Sequence, residues 1–266
     1  MTRRELLRAA LAAGLGQRML GRAALAALPA GLPPGLEVMR RVNDRPRGKG
    51  CRMRLEMSLR DAKRGEFRKS IDMVRRQFPT GYRTAYDILA PDHEKGIGLL
   101  LSEDPAQRGM WMYFPASRQV IHVASRGLSA LASDFSCEDL LVSLPLAEYD
   151  FRTLGRDRVG GLSCLRVEMR PNIERLRLEL GFARAIGWVR EDIWLIVRAD
   201  YEDEKGQVFK SFAAADVEPV DGIWTVKRFA MDNRRARHAT EVRVAEVDYS
   251  ALTAEDRFSP ERFHEQ

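Results

Sequence analysis

The residues able to do chemistry are few in this sequence, and their spacing argues against most catalytic uses. The four histidines, His93, His122, His238 and His264, are widely scattered. None shows the i, i+4 spacing that puts two imidazoles on one helical face to bind zinc. Gly127-Leu128-Ser129-Ala130-Leu131 lacks the second glycine of a nucleophile elbow. Gly96-Ile97-Gly98 lacks the third glycine of a dinucleotide-binding loop and falls inside a strand pattern. The densest group is acidic: Asp134, Glu138 and Asp139. Such a cluster could hold a metal or supply a general acid and base, and a hydrolase built on it is one reading. The plainer reading is that these acids start a helix at Ser136-Cys137-Glu138-Asp139, where carboxylates satisfy free N–H groups. No catalytic residue, metal or cofactor is therefore expected.

The elements around these residues are mostly strands. Cys51, Met53, Leu55, Met57 and Leu59 alternate with Arg52, Arg54, Glu56, Ser58 and Arg60. That period of two predicts a strand with the first five residues facing inward together. Further strands are expected at 67–78, 82–89, 97–101, 110–114 and 120–123. On the fifth, either Met110 and Met112 or Trp111 and Tyr113 face inward. Turn residues at short intervals imply antiparallel meanders, not a parallel α/β sheet. Residues 127–149 change character. Leu140, Leu141, Leu144 and Leu146 make a helical stripe after Ser136, and Pro145 limits its length. Strands resume at 151–154 and 162–169, and residues 172–186 have a helical period. A closing meander is predicted over 188–194, 195–201, 207–217, 223–231 and 240–249, with turns at Glu204-Lys205-Gly206 and Asp221-Gly222. A short helix is expected over 37–43.

The net charge of +6 suggests nucleic acid at first sight. Residues 1–30 carry +4 of it, through Arg3, Arg4, Arg8, Arg18 and Arg22 against Glu5, so the remainder carries only +2. A near-neutral body lacks the concentrated basic surface that nucleic acid requires. The cluster Arg234, Arg235 and Arg237 has no aromatic residues interleaved and reads as a solvated hairpin end. Thr2-Arg3-Arg4-Glu5-Leu6-Leu7, followed by an Ala/Leu-rich run, resembles a twin-arginine signal peptide, which makes 1–30 an export leader and 31–266 a single domain. No apolar run is long enough for a transmembrane helix. Cys51, Cys137 and Cys164 fit no zinc pattern; one disulfide is possible, and spacing does not select the pair.

Several segments resemble a known family. Trp111-Met112-Tyr113-Phe114-Pro115 resembles the aromatic strand ending in proline of the outer-membrane lipoprotein-sorting proteins of the LolA/LolB-like superfamily. Ser133-Asp134-Phe135-Ser136 with Glu138-Asp139-Leu140 resembles the signature of one branch, with Ala132 where glycine is usual and Cys137 where tyrosine is usual. Glu37-Val38-Met39 through Asp44-Arg45, Lys95-Gly96, residues 201–210, Trp224, residues 231–233 and Phe258-Ser259-Pro260-Glu261-Arg262-Phe263 agree in order, so the resemblance covers residues 36–264.

This resemblance implies a mainly β fold: a half-open, curved antiparallel β-barrel with short helices covering the open side. It implies a periplasmic, cell-envelope protein for lipid binding and transport, a carrier or sensor that shields lipid or lipoprotein acyl chains from water. Its cavity would be lined by Met53, Leu55, Met57, Leu99, Trp111, Tyr113, Phe135 and Leu140. Expected partners are acyl chains and an inner-membrane transporter, with no nucleic acid. The competing reading is a non-enzymatic accessory protein that docks on an envelope lipid transporter. A carrier requires an apolar cavity open to solvent, whereas a scaffold requires a filled barrel.

Overall fold

The computed structural model describes residues 31–265. The export leader expected over 1–30 lies outside the described residues. Thirteen strands form one antiparallel sheet. They are β1 (Gly50–Asp61), β2 (Gly65–Phe78), β3 (Gly81–Ala90), β4 (Gly98–Ser102), β5 (Gly109–Phe114), β6 (Gln119–His122), β7 (Tyr149–Val159), β8 (Leu162–Pro171), β9 (Arg184–Arg190), β10 (Leu195–Glu202), β11 (Val208–Val220), β12 (Ile223–Asn233) and β13 (His238–Asp248). Two short helices accompany them, α1 (Gly35–Asp44) and α2 (Glu174–Leu180). The sheet is curved and does not close. No helix among the described residues is long and apolar enough to cross a membrane.

The strand order is β6-β5-β4-β3-β2-β1-β13-β12-β11-β10-β9-β8-β7. The first and last strands therefore pair in the middle, with Leu55 opposite Val244 and Met57 opposite Val242. The free edges are β6 and β7, which are consecutive in the chain. The segment between them, residues 123–148, must pass from one edge of the sheet to the other. Irregularities at Arg54/Leu55, Ser70/Ile71, Thr153/Gly155 and Ile196/Arg198 interrupt the ladders. Bulges of this kind bend a sheet and raise its local twist.

Alternation along β1 holds as expected. Cys51, Met53, Leu55 and Met57 are buried in one apolar cluster with Ile71, Met73, Tyr86, Val242 and Val244. Leu59, expected with them, is only half-buried near the end of the strand. Over β2–β4 the sheet is covered on both faces. Phe258 and Phe263 pack on its outer side against Val74, Ala85 and Leu100. This explains why Leu99-Leu100-Leu101 is an unbroken apolar run: every residue of β4 is buried.

Three expected elements differ. The helix expected from Ser136 is instead two single 3₁₀ turns, Glu138–Leu140 and Leu146–Glu148. Leu141 between them is extended, and Pro145 offers no amide hydrogen to continue a helix. The helical period over 172–186 yields only α2, which stops at Gly181 in the left-handed conformation that commonly ends helices. Residues 184–190 then enter the sheet as β9. The strand expected over 188–194 ends at Arg190, and Trp194 with φ 53° belongs to the turn. The turns at 204–206 and 221–222 form where expected, and Arg234, Arg235 and Arg237 sit exposed at the β12–β13 hairpin end. Cys51, Cys137 and Cys164 are buried free thiols.

The register of β1 is directly testable. Leu55→Asp places an unpaired charge in the buried cluster and is expected to cost about 3 kcal/mol or more. Glu56→Lys, on the solvent face, is expected to change stability by less than about 0.5 kcal/mol. Urea unfolding of both variants checks this; equal tolerance would mean that the register is wrong.

Candidate functional site

The concave side of the sheet holds a cavity in two adjoining lobes of about 190 and 390 Å³. Met53, Leu55 and Met57 of β1, Ile71 of β2 and Val242 and Val244 of β13 wall the smaller lobe. Met39 and Val42 of α1, Met169 of β8, Ala199 and Tyr201 of β10 and Phe212 of β11 wall the larger one. Met73, Tyr86, Phe135, Leu140 and Phe229 line both. The walls are mostly aliphatic, aromatic and thioether groups. Methionine side chains in such a wall adapt to ligands of varied shape.

The crossing segment 123–148 covers part of the cavity, with Phe135 and Leu140 in its wall, and its fixings are specific. A Cβ at Gly127 would lie 1.7 Å from the carbonyl oxygen of Glu179, so only glycine lets the segment approach the end of α2. Ser129 and Ser136 form an isolated bridge, and the Ala130 amide donates to the Phe135 carbonyl at 2.8 Å. The loop inside that bridge turns through Leu131 and Ala132, with φ of 53° and 52°. This left-handed conformation is one that glycine adopts most readily, yet leucine and alanine hold it here. The loop aims Leu131 and Phe135 at the sheet. Phe135 is 2% exposed and meets Phe229 edge-on, ring centres 5.5 Å apart. Lys69 Nζ donates to the Leu131 carbonyl at 2.9 Å and pairs with Glu94 at 2.5 Å. At the far end, Asn43 of α1 and Leu144 exchange two hydrogen bonds, of 2.8 and 3.1 Å.

The acids expected to cap a helix do something else. Each ties the crossing segment to a different strand. Thr240 Oγ1 on β13 donates to Asp134 Oδ2 at 2.7 Å and accepts from the Asp134 amide at 3.0 Å. Tyr149 at the start of β7 donates to Glu138 Oε1 at 2.7 Å, and Arg126 Nε lies 3.2 Å from Glu138 Oε2. Tyr201 of β10 donates to Asp139 Oδ1 at 2.7 Å, while Lys210 of β11 and the Ser136 hydroxyl donate to Oδ2 at 2.8 and 2.6 Å. Burial raises the Glu138 carboxyl above the usual range despite Arg126. Burial also opposes ionisation of Asp139, but the Lys210 charge and its hydrogen bond prevail, and the carboxyl is held below its ordinary value. Burial, then the neighbouring Asp139, drive the Tyr201 hydroxyl far above the usual phenol. These are anchoring contacts.

Of the eight residues expected to line a cavity, Met53, Leu55, Met57, Phe135 and Leu140 do so. Leu99 is fully buried within the inward apolar cluster and is absent from the cavity walls. Trp111 and Tyr113 require correction. They point to the outer face, where Trp111 packs near His122 and Tyr113 stacks on His264 at 4.1 Å. Met110 and Met112 take the inward positions of β5. Arg45, Arg47 and Arg75 line both lobes and were not anticipated. Arg75 could have been read from β2, because it continues the inward register of Ile71 and Met73.

A family model described as "Uncharacterized protein" matches residues 82–265. The chain belongs to this family. Its fold is that of the LolA-like lipoprotein-sorting proteins. An outer membrane lipoprotein-sorting protein domain from Vibrio parahaemolyticus superposes with a TM-score of 0.78 at 19% identity, over 86% of this chain and 98% of that one. A DUF1329 family protein from Desulfovibrio piger gives 0.76 at 24% identity, over 85% and 95%. A LolA superfamily protein from Nitrosomonas europaea gives 0.66 at 11% identity, over 86% and 98%. At these identities the likeness is one of fold. No curated protein matches the sequence.

Two outcomes follow for the crossing segment. Phe135→Ala removes a buried ring from its underside and is expected to cost about 3–5 kcal/mol, more than Asp134→Ala at about 1–3 kcal/mol; denaturant midpoints compare them. Asp139→Asn leaves Lys210 buried without its partner, at a cost of about 3 kcal/mol near neutral pH. Because folding lowers the Asp139 carboxyl, its stabilising contribution is present above the ordinary aspartate value of 3.8 and fades as pH falls below it. The gap between wild type and Asp139→Asn should therefore narrow in acid; a gap independent of pH would contradict the ion-pair assignment.

Proposed function

We propose that this protein binds lipid or lipoprotein acyl chains and shields them from water in the periplasm. The observation that carries the reading is the cavity itself: an apolar hollow, open to solvent, that the chain's own side chains leave unfilled beneath a tethered crossing segment. The combined size of its lobes is within the roughly 300–1,000 Å³ usual for small-molecule sites. Each methylene moved from water into such a space stabilises the complex by about 0.8 kcal/mol. The fold shared with lipoprotein-sorting proteins supports the same reading. The unfilled cavity favours a carrier over a scaffold whose barrel would be packed solid. The protein acts on this view by binding and not by catalysis, since Asp134, Glu138 and Asp139 are all committed to anchoring contacts. Export would follow from the leader at residues 1–30.

Mass spectrometry of the protein purified from its native host is expected to show an acyl lipid released on denaturation. Protein free of lipid that also fails to bind a fluorescent fatty acid would overturn the carrier reading. For export, fractionation of cells expressing a C-terminally tagged chain should find a shortened product in the periplasm; full-length protein confined to the cytosol would contradict it.

A further inference from the structure

The cavity wall is mostly apolar, and one polar feature in it lacks a partner of opposite charge. Arg45, in the segment after α1, Arg47 two residues later, and Arg75 on β2 converge on the walls shared by both lobes. Three other basic groups with little exposure meet a carboxylate: Lys210 has Asp139 at 2.8 Å, Arg83 has Asp104 at 2.9 Å and Arg126 has Glu138 at 3.2 Å. Arg45, Arg47 and Arg75 do not. Arg45 makes no hydrogen bond or ion pair among the described residues, and its Nε is buried without a partner. Arg47 directs its terminal nitrogens at the carbonyls of Asn43 and Val42, and Arg75 donates to the Arg47 carbonyl at 2.9 Å. Those acceptors are neutral, and no carboxylate pairs directly with these charges, although Glu103 and Asp44 act on Arg47 from farther off. The buried carboxylate of Glu103, which acts on Arg47, accepts hydrogen bonds from the amides of Val142 and Ser143. Burial, then the neighbouring charges of Arg47 and Arg75, press the Arg45 guanidinium down to about 10.

Bringing three cations together at a partly desolvated wall is costly unless an anion joins them. Guanidinium is the group suited to carboxylate and phosphate, which it meets through paired hydrogen bonds. We propose that Arg45, Arg47 and Arg75 form the headgroup end of the cavity, and that the cargo is an acyl lipid bearing a carboxylate or phosphate. The two acids that line the larger lobe, Glu138 and Asp139, do not oppose this, because Arg126 and Lys210 already neutralise them. The inference rests on the acyl-carrier reading and adds the charge of the headgroup to it.

The test is displacement of a fluorescent monoacylglycerol from delipidated protein by four competitors: palmitate, lysophosphatidylglycerol, monopalmitoylglycerol and inorganic phosphate. The wild type is expected to prefer one or both anionic lipids over the neutral one by about tenfold or more. Which of the two wins identifies carboxylate or phosphate as the group held. Arg45→Gln, where the arginine side chain makes no hydrogen bond to lose, and Arg75→Gln should remove that preference by lowering affinity for the anionic lipids more than for the neutral one; thermal unfolding confirms that each variant is folded. The wild-type preference is measurable without any variant. Equal competition by neutral and anionic lipids would overturn the headgroup assignment and leave the carrier reading standing. Displacement by inorganic phosphate as strong as by the lipids would overturn it in favour of a free-anion site. Failure of the fluorescent lipid to bind at all would sink the carrier reading itself.

Discussion

The pairing of β1 with β13 is the contact on which the rest of this architecture depends. Because the first and last strands meet in the middle of the sheet, two strands adjacent in sequence, β6 and β7, become its outer edges. The chain between them then has to cross the concave face, and in crossing it makes a roof. A curved open sheet alone would offer a shallow trough. With residues 123–148 laid over it, the trough becomes a cavity with Phe135 and Leu140 above and the β1 methionines below.

Polar groups in this interior divide into two kinds. Asp134, Glu138, Asp139 and Lys69 hold the roof in place, each with a partner on or near the sheet, and together they fix it at several separate points. Such buried contacts are weak evidence for net stability but strongly disfavour alternatives in which one partner is lost. Arg45, Arg47 and Arg75 are different in kind, since they line the cavity without an ion-paired carboxylate. The first group explains why a roof exists; the second bears on what lies beneath it.

Much of the sheet was legible in the sequence because a strand with one wet face writes itself as alternation, as in Cys51 to Met57. Where both faces are covered the alternation vanishes, and β4 shows only a leucine run. The side chosen by β5 was not legible. Methionines and aromatics are both apolar, and the aromatics face outward only because Phe258 and Phe263 come back to cover them. The roof was misread as a helix since its leucines happen to fall at helical spacing, while Pro145 and tertiary hydrogen bonds dictate extended chain. The arginines escaped notice because a charged side chain suggests solvent. Only the inward register of β2 and the return of the chain after α1 bring them together.

The seam between β1 and β13 also bears on how fast the protein can fold. Most other ladders join neighbours in sequence and close short loops, which is quick. The seam joins strands from opposite ends of the described chain, such as Arg52 with Asp248. Loop-closure entropy rises with the length enclosed, and non-local pairing is the slow step in β topologies. Each half of the sheet is a meander of sequence neighbours, and the hollow between them has no existence until the two halves zip along that one line.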